Sequence, residues 1–402
     1  MSGRLVNQAT AQVVSFGKAE PPRQQIHLDA NANVPVTKKV KHAVLAGLGT
    51  SNPSSAHAAG DEARIQLTLA RDAVASLCEH VFPEDVIFTS GCTEANNLVV
   101  ASASATGAAL IISAVEHPSI MRAAEAFAQR GGSLTVIPVD RVGYVELSLL
   151  SEALEQLSGP TFLSIQAANS ETGVVQPLGA IAAIARRRPN VFFHADAAQA
   201  FGKIRLSVGE QGPDAISVSA HKLHGPMGVG ALLLREGEDR LSPLLFGGDQ
   251  ERGLRAGTQS MPLIAGFAAA CEARATNFAN DNFQMAALRD RLEAGLQDVI
   301  PSIVVNGAEA PRLPNTSNLQ FPGVDGMALL ALLDDSGILA SQGSACHSRR
   351  PEPSPVLMAM GLSEDQAFSS IRFSVSPFNT AREIDAAIDL IVAACHRLGL
   401  RA

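Results

Sequence analysis

Val86-Ile87-Phe88-Thr89-Ser90-Gly91-Cys92-Thr93-Glu94 runs from a β-branched apolar segment through a polar glycine turn into a stretch, 94–105, with helical composition. The same unit recurs downstream. Apolar segments 109–112, 134–137 and 162–165 precede helical stretches 119–130, 147–157 and 178–187, and further strand segments follow at 191–196, 215–218 and 229–234. Strands that alternate with helices imply βαβ units and a mainly parallel, doubly wound sheet, so the fold class is α/β. The strand segments are apolar almost throughout, as burial on both faces requires.

A second region looks different. A long amphipathic helix is expected over 283–299, strands at 303–305, 316–320, 338–340 and 371–375, and helices at 326–333, 355–360 and 381–398. This pattern predicts a smaller α+β domain, with Ala-rich helices around 265–275 bridging the two regions. The expected organisation is a flexible N-terminal extension over 1–25, a large domain over 26–275 and a small C-terminal domain over 276–402.

The chain has 402 residues, 46% of them hydrophobic, and a formal charge of -8. That balance argues against nucleic-acid or anionic-membrane partners, which want basic patches. No Trp and a single Tyr leave few surfaces for base stacking. No apolar run reaches the ~18 residues of a membrane span, and residues 1–25 lack the apolar core of a secretory signal. Cys78, Cys92, Cys271, Cys346 and Cys395 are scattered, without metal-type spacing. Free thiols in a reducing compartment are expected, and a cytoplasmic location with no metal site.

The polar turns that follow the strands bear the chemistry, because ligands of open α/β sheets bind at the carboxyl ends of strands. Gly91-Cys92-Thr93 at a helix start suits a phosphate through backbone amides and the Thr93 hydroxyl, and is also an ordinary helix N-cap composition. His117 in Val115-Glu116-His117-Pro118 could stack on a flat ring or be a satisfied core histidine. Asn169 in Ala168-Asn169-Ser170-Glu171-Thr172-Gly173 could donate to a ligand oxygen or form a turn. Asp196 in His194-Ala195-Asp196-Ala197-Ala198-Gln199 ends a buried strand, where a carboxylate needs a protonated partner. Gln199 follows one helical turn later. Lys222 in Ser219-Ala220-His221-Lys222 sits among small and apolar residues, where desolvation lowers an amine's pKa and makes it a nucleophile toward carbonyls; a lysine pointing into water is the plain alternative. Together, in this order, these turns supply a phosphate cradle, a stacking group, a counter-ion for a ring nitrogen, a donor to a ring oxygen and a Schiff-base lysine. Those are the contacts pyridoxal 5'-phosphate needs.

These strings resemble the fold-type I, class-V aminotransferase-like enzymes. Leu28-Asp29-Ala30-Asn31-Ala32, Asn52-Pro53-Ser54-Ser55, Gln250-Glu251-Arg252, Gly257-Thr258, Gly343-Ser344-Ala345-Cys346 and Ser369-Ser370-Ile371-Arg372-Phe373-Ser374 narrow the likeness to the cysteine desulfurase family. The resemblance runs from about residue 26 to about residue 398. It implies a homodimer in which Cys92 (through its backbone amide), Thr93, Ser219, His221 and the partner's Thr258 hold the phosphate. It further implies His117 over the ring, Asp196 at the ring nitrogen, Gln199 at the ring oxygen and Lys222 as the Schiff-base and catalytic lysine. Asn169 and Arg372 would hold the substrate carboxylate. The family's Ala-Thr-Thr-Pro is Ala32-Asn33-Val34-Pro35 here, which makes Asn33 a substrate-pocket residue. His224 stands where an aromatic is common, and Cys92 where Ala or Gly is common.

Cys346 lies between Gly343-Ser344-Ala345 and His347-Ser348-Arg349-Arg350, before the proline-punctuated Pro351-Glu352-Pro353-Ser354-Pro355. Neighbouring cationic side chains favour a thiolate, and a thiol on a loop suits a sulfur carrier. The implied activity is conversion of L-cysteine to L-alanine, with sulfur held as a persulfide on Cys346 and passed to an acceptor protein or thiol, as in iron–sulfur cluster assembly. The 343–356 stretch also resembles selenocysteine lyase, so L-selenocysteine is an alternative substrate. A cystine or cysteine C–S β-lyase would use the same cofactor contacts without Cys346, and a non-catalytic scaffold would need neither Lys222 nor Asp196.

Overall fold

The computed structural model describes residues 25–235, 237–343 and 352–400. The expected extension therefore falls, apart from Gln25, outside the described residues, as do Cys346 and its neighbours from Ser344 to Pro351.

The chain opens with β1 (Ile26–His27), α1 (Lys38–Gly47) and α2 (Ala58–Ala75). The alternation follows: β2 (Val86–Thr89), α3 (Cys92–Thr106), β3 (Ala109–Ser113), α4 (Pro118–Gln129), β4 (Leu134–Ile137), α5 (Leu147–Gln156), β5 (Thr161–Ser164), α6 (Leu178–Ala185), β6 (Val191–Asp196), β7 (Ala215–Ser219) and β8 (Gly230–Leu234). These strands form one sheet in the order β2-β8-β7-β6-β5-β3-β4. Pairing is parallel from β4 through β7, and β8 runs antiparallel between β7 and β2.

The apolar strands are buried on both faces, as their composition requires. On β8, Leu232 and Leu234 point to the side covered by α3 and α4, while Ala231 and Leu233 point to the side where α2 and the start of α7 (Met261–Val299) pack. Helices α5 and α6 cover that second face over β3, β5 and β6 through Leu150, Leu154, Ile181 and Ala185. Each fully buried leucine here is worth about 1.5–3 kcal/mol relative to exposure.

A second core forms around β9 (Val304–Val305), β10 (Thr316–Gln320), α8 (Gly326–Asp335), β11 (Ile338–Leu339), β12 (Ser370–Ser374) and α11 (Ala381–Arg397), whereas α9 (Pro355–Ala359) and α10 (Glu364–Phe368) pack through Val356, Leu357 and Ala367 on the α5 and α6 side of the large sheet. Strand β10 pairs antiparallel with both β9 and β12. Met285, Leu288, Leu292 and Leu296 place one face of the second half of α7 against this core. The expected bridge at 265–275 and the amphipathic helix at 283–299 are thus one continuous helix. Ile26 and Leu28, at the start of the expected large unit, pack in this second core, because β1 pairs in parallel with β11.

Candidate active site

The carboxyl ends of β2, β6 and β7 and the turn after β3 converge on one cleft of about 560 Å³, within the usual size of a small-ligand site. Asp196 is the last residue of β6 and Ser219 the last of β7. A tight turn follows β7, closed by Leu223 and Gly225 amides donating to the Ala220 carbonyl. A Cβ on Gly225 would sit 2.7 Å from that carbonyl oxygen, so only glycine permits the closure. The turn delivers Lys222 into the cleft, where its Nζ donates to the backbone carbonyls of Asn31 (2.5 Å) and Ala32 (2.8 Å). Burial lowers the Lys222 amine to about 8, with the Arg372 cation acting in the same direction and Asp29 and Asp196 opposing it.

Asp196 is 5% exposed and its carboxylate is well supplied with donors. Oδ2 accepts from Asn96 Nδ2 at 2.7 Å; Oδ1 accepts from the Ala198 amide at 2.9 Å and from the Cys92 thiol at 3.2 Å. The Cys92 side chain therefore touches the carboxylate, where only its backbone amide was expected to matter. Burial pushes the Cys92 thiol well above the usual range, with the Asp196 charge adding to the effect.

Helix α3 begins at Cys92 after Gly91, without a side-chain cap among the described residues, and its first residues Cys92 and Thr93 line the cleft. A Cβ on Gly230 would lie 2.8 Å from Gly91, so the turn at Gly91 rests directly on β8. His221 Nδ1 pairs with Ser219 Oγ at 2.8 Å, and burial drops its pKa to about 4, Lys222 adding to the effect. His117 caps α4 through Nδ1, which accepts from the Ser119 amide, and its ring faces the cleft. Removal from solvent lowers its pKa, with Asp196 opposing. Gln199 Nε2 donates at 3.0 Å to the same Asn31 carbonyl that receives Lys222.

On the opposite wall, Arg372 of β12 donates to Asp29 Oδ1 at 2.6 Å and to the Ser170 carbonyl at 3.1 Å. Its Nε is buried without a partner among the described residues.

A class-V aminotransferase sequence model matches residues 26–387. The chain belongs to the class-V aminotransferase family. It is 40% identical over 375 residues to a cysteine desulfurase of Enterobacter agglomerans, covering 91% of this chain and 91% of the relative. It is 39% identical to the mitochondrial cysteine desulfurase of Saccharomyces cerevisiae, covering 90% of this chain and 73% of that protein. Among solved structures, a NifS-like protein from Rickettsia africae superposes with a TM-score of 0.83 at 32% identity, covering 92% of this chain and 99% of the other. The family depends on pyridoxal phosphate. The donor set here fits that group: an uncapped helix N-terminus with a hydroxyl beside it, a buried carboxylate, an amide N–H and a desolvated lysine line one cleft.

Not every predicted residue arrives there as expected. Asn169 Oδ1 accepts from the amides of Glu171 and Thr172 and from the Thr172 hydroxyl, while Nδ2, the end that would meet a substrate carboxylate, donates to the Val115 carbonyl at 3.3 Å. The side chain thus forms its turn and keeps a donor end, next to Ala168 and Ser170 of the cleft's lining. Asn33 lines an adjoining cavity of about 490 Å³ beside Leu330 and Leu339, not the cleft of Lys222. Thr258 is exposed and lies outside this cleft's lining. Cys346 lies outside the described residues, but Ser341 and Gly343 before it line the cleft and Glu352 to Val356 after it line a cavity sharing His117. Asp29, Asn31, Asn96 and Lys203 received no role from the sequence. Asp29 and Asn31 stand in a quoted family string, which marked the segment without marking the chemistry.

Proposed function

We propose that this chain is a pyridoxal-phosphate-dependent cysteine desulfurase that converts L-cysteine to L-alanine and passes the sulfur on through Cys346. The observation that bears most weight is the meeting of Lys222, Asp196 and Arg372 in one cleft whose rim holds the start of the Cys346 segment. Bound pyridoxal phosphate would supply an electron sink conjugated to the substrate's amine.

The chain's own residues do the rest. Thr93, the α3 amides, Ser219 and His221 would hold the cofactor's phosphate. Asp196 would accept a hydrogen bond from the ring nitrogen and keep it protonated. Gln199 would donate to the ring oxygen, and His117 would stack on the ring. Arg372, with its spare Nε, takes the substrate carboxylate. The Lys222 amine, about 8 in the structure, can hold or release a proton near neutral pH and moves protons at the substrate carbons. Cys346 thiolate attacks the substrate sulfur, forming an S–S bond as the Cβ–S bond breaks; Cβ gains a proton and an acceptor thiol or protein later removes the sulfur.

A homodimer with Thr258 reaching the partner's cleft belongs to this reading. Its support is the exposure of Thr258 and of nearby Phe246, which is 86% exposed. Buried free thiols at Cys78, Cys92, Cys271 and Cys395 support a reducing, cytoplasmic setting. Among the described residues no helix is long and apolar enough to cross a membrane.

The test is a turnover assay on purified protein with L-cysteine and a thiol reductant. Alanine and sulfide are expected, with loss of turnover in Cys346→Ala. Pyruvate and ammonia would replace the reading with a β-lyase. Selenocysteine turnover that survives Cys346→Ala, with no cysteine turnover in the native chain, would replace it with a selenocysteine lyase.

A further inference from the structure

Lys203 lies beneath the cleft, 5% exposed, four residues after Gln199. Its Nζ is 3.0 Å from Gln199 Oε1 and 3.2 Å from Asn31 Oδ1. Among the described residues no carboxylate is within ion-pair distance of it; the charges around it are the cations Lys222, Arg274 and Arg372. A buried ammonium without a counter-ion is costly, and burial drives this amine well below the usual lysine range. A neutral amine has two N–H groups, and the two acceptors in reach are both side-chain amide oxygens.

An amide's oxygen and nitrogen have nearly the same shape, so packing alone does not choose between the two orientations of Gln199. Hydrogen bonding does. At one end Nε2 meets the Asn31 carbonyl, which can only accept. At the other Oε1 meets Lys203. Asn31 is fixed in the same way. Its Oδ1 accepts from Lys203 and from Asn315 Nδ2 (3.0 Å), and its Nδ2 donates to Thr316 Oγ1 (2.9 Å). Its backbone carbonyl then receives both Lys222 and Gln199.

We propose that Lys203 is a positioning residue that locks the Gln199 amide so that its N–H group, and not its carbonyl, faces the ring oxygen of the bound cofactor. This rests on the role given to Gln199 above. A donor held on that oxygen favours its charged form, so losing the donor raises the pH at which the cofactor's visible absorbance titrates.

The experiment follows that absorbance against pH in the cofactor-loaded protein for Lys203→Met, Gln199→Ala and the double variant. Methionine keeps the length and removes the donors. Lys203→Met is expected to raise the midpoint by about 0.4–1 unit, the size of one hydrogen bond. Gln199→Ala should raise it similarly, and the double variant should match Gln199→Ala. A shift in Gln199→Ala with none in Lys203→Met overturns the proposal, as does a double variant that shifts further than Gln199→Ala. No shift in either single variant overturns the reading of Gln199 itself. If Lys203→Met does not accumulate, Lys203→Gln retains an NH2 donor group and should titrate like the native chain; a midpoint as high as that of Gln199→Ala overturns the proposal.

Discussion

Glu116 precedes His117 and is 5% exposed. Its Oε1 accepts from Ser113 Oγ at 2.5 Å and from the Gln166 amide at 2.9 Å, while Oε2 is buried with no partner among the described residues. Burial raises its pKa to about 8, with the charge of Asp196 adding to the rise. The folded state therefore binds this proton more tightly than the unfolded chain, whose glutamates titrate near ~4.3. The stabilising difference is complete below the unfolded value and is lost as pH rises toward about 8. Glu116→Gln, which is permanently neutral, should match the native stability near pH 4 and exceed it by a few kcal/mol (order of magnitude) above pH ~8. Urea unfolding at the two pH values measures it, and a constant difference would show that Glu116 is not held neutral. Residues of this kind divide the site by legibility. Asp196, Ser219 and Lys222 were readable because each ends a strand or sits in the turn after one, where topology already places ligands. Asn31 and Lys203 were not, because their partners are remote in sequence: Asn31 and Thr316 lie 285 positions apart, Lys203 and Asn31 172. Short-range pattern does not register such pairs.

At the scale of elements, the strand-and-helix alternation was legible because period and composition agree in each segment. Strand β10 falls on the expected 316–320. Helix α7 was not read as one piece for a physical reason. Its first part buries a dense run, Phe267 to Cys271, on several sides, while its second part buries only one face. The apolar pattern changes midway and reads as two helices. The contact of the Gly91 turn with β8 gives an element-level prediction. A Cβ at position 230 would stand 2.4 Å from the Val218 carbonyl oxygen and 2.8 Å from Gly91. Backbone must shift on both sides, so Gly230→Ala should cost about 1–3 kcal/mol, typical of overpacking. The shift also displaces the start of α3. Weaker cofactor retention should therefore accompany the lost stability, read as faster loss of visible absorbance on dialysis. Lower stability with unchanged retention would separate β8 from cofactor binding.

At the scale of the whole molecule, the described chain leaves large apolar side chains in water that a monomer has no reason to expose together. Helices α1 and α2, both packed on the first part of α7, expose Leu45, Ile65 and Leu69, and Leu48 just after α1 is exposed with them, each at least 60% accessible. The segment Leu244 to Phe246 is also exposed, and a bridge between Leu245 and Arg255 ties it to the strand of chain that ends in Thr258. Arg255 in turn donates to Glu94 at 2.9 Å, and Glu94 accepts from the Ser90 amide beside Gly91. The exposed 244–246 segment, the Thr258 loop and the Gly91 turn are thus mechanically joined. If the surface is covered by a second copy, assembly and cofactor binding must fall together. Phe246→Asp places a charge where desolvation would be required and should convert a dimer to a monomer in light scattering. The same variant should lose cofactor while keeping native helix content by circular dichroism, because Phe246, 86% exposed, has little internal packing to lose. A monomer that retains the cofactor as tightly as the native protein would remove Thr258 from the phosphate site, and an unchanged dimer would place the interface on another face.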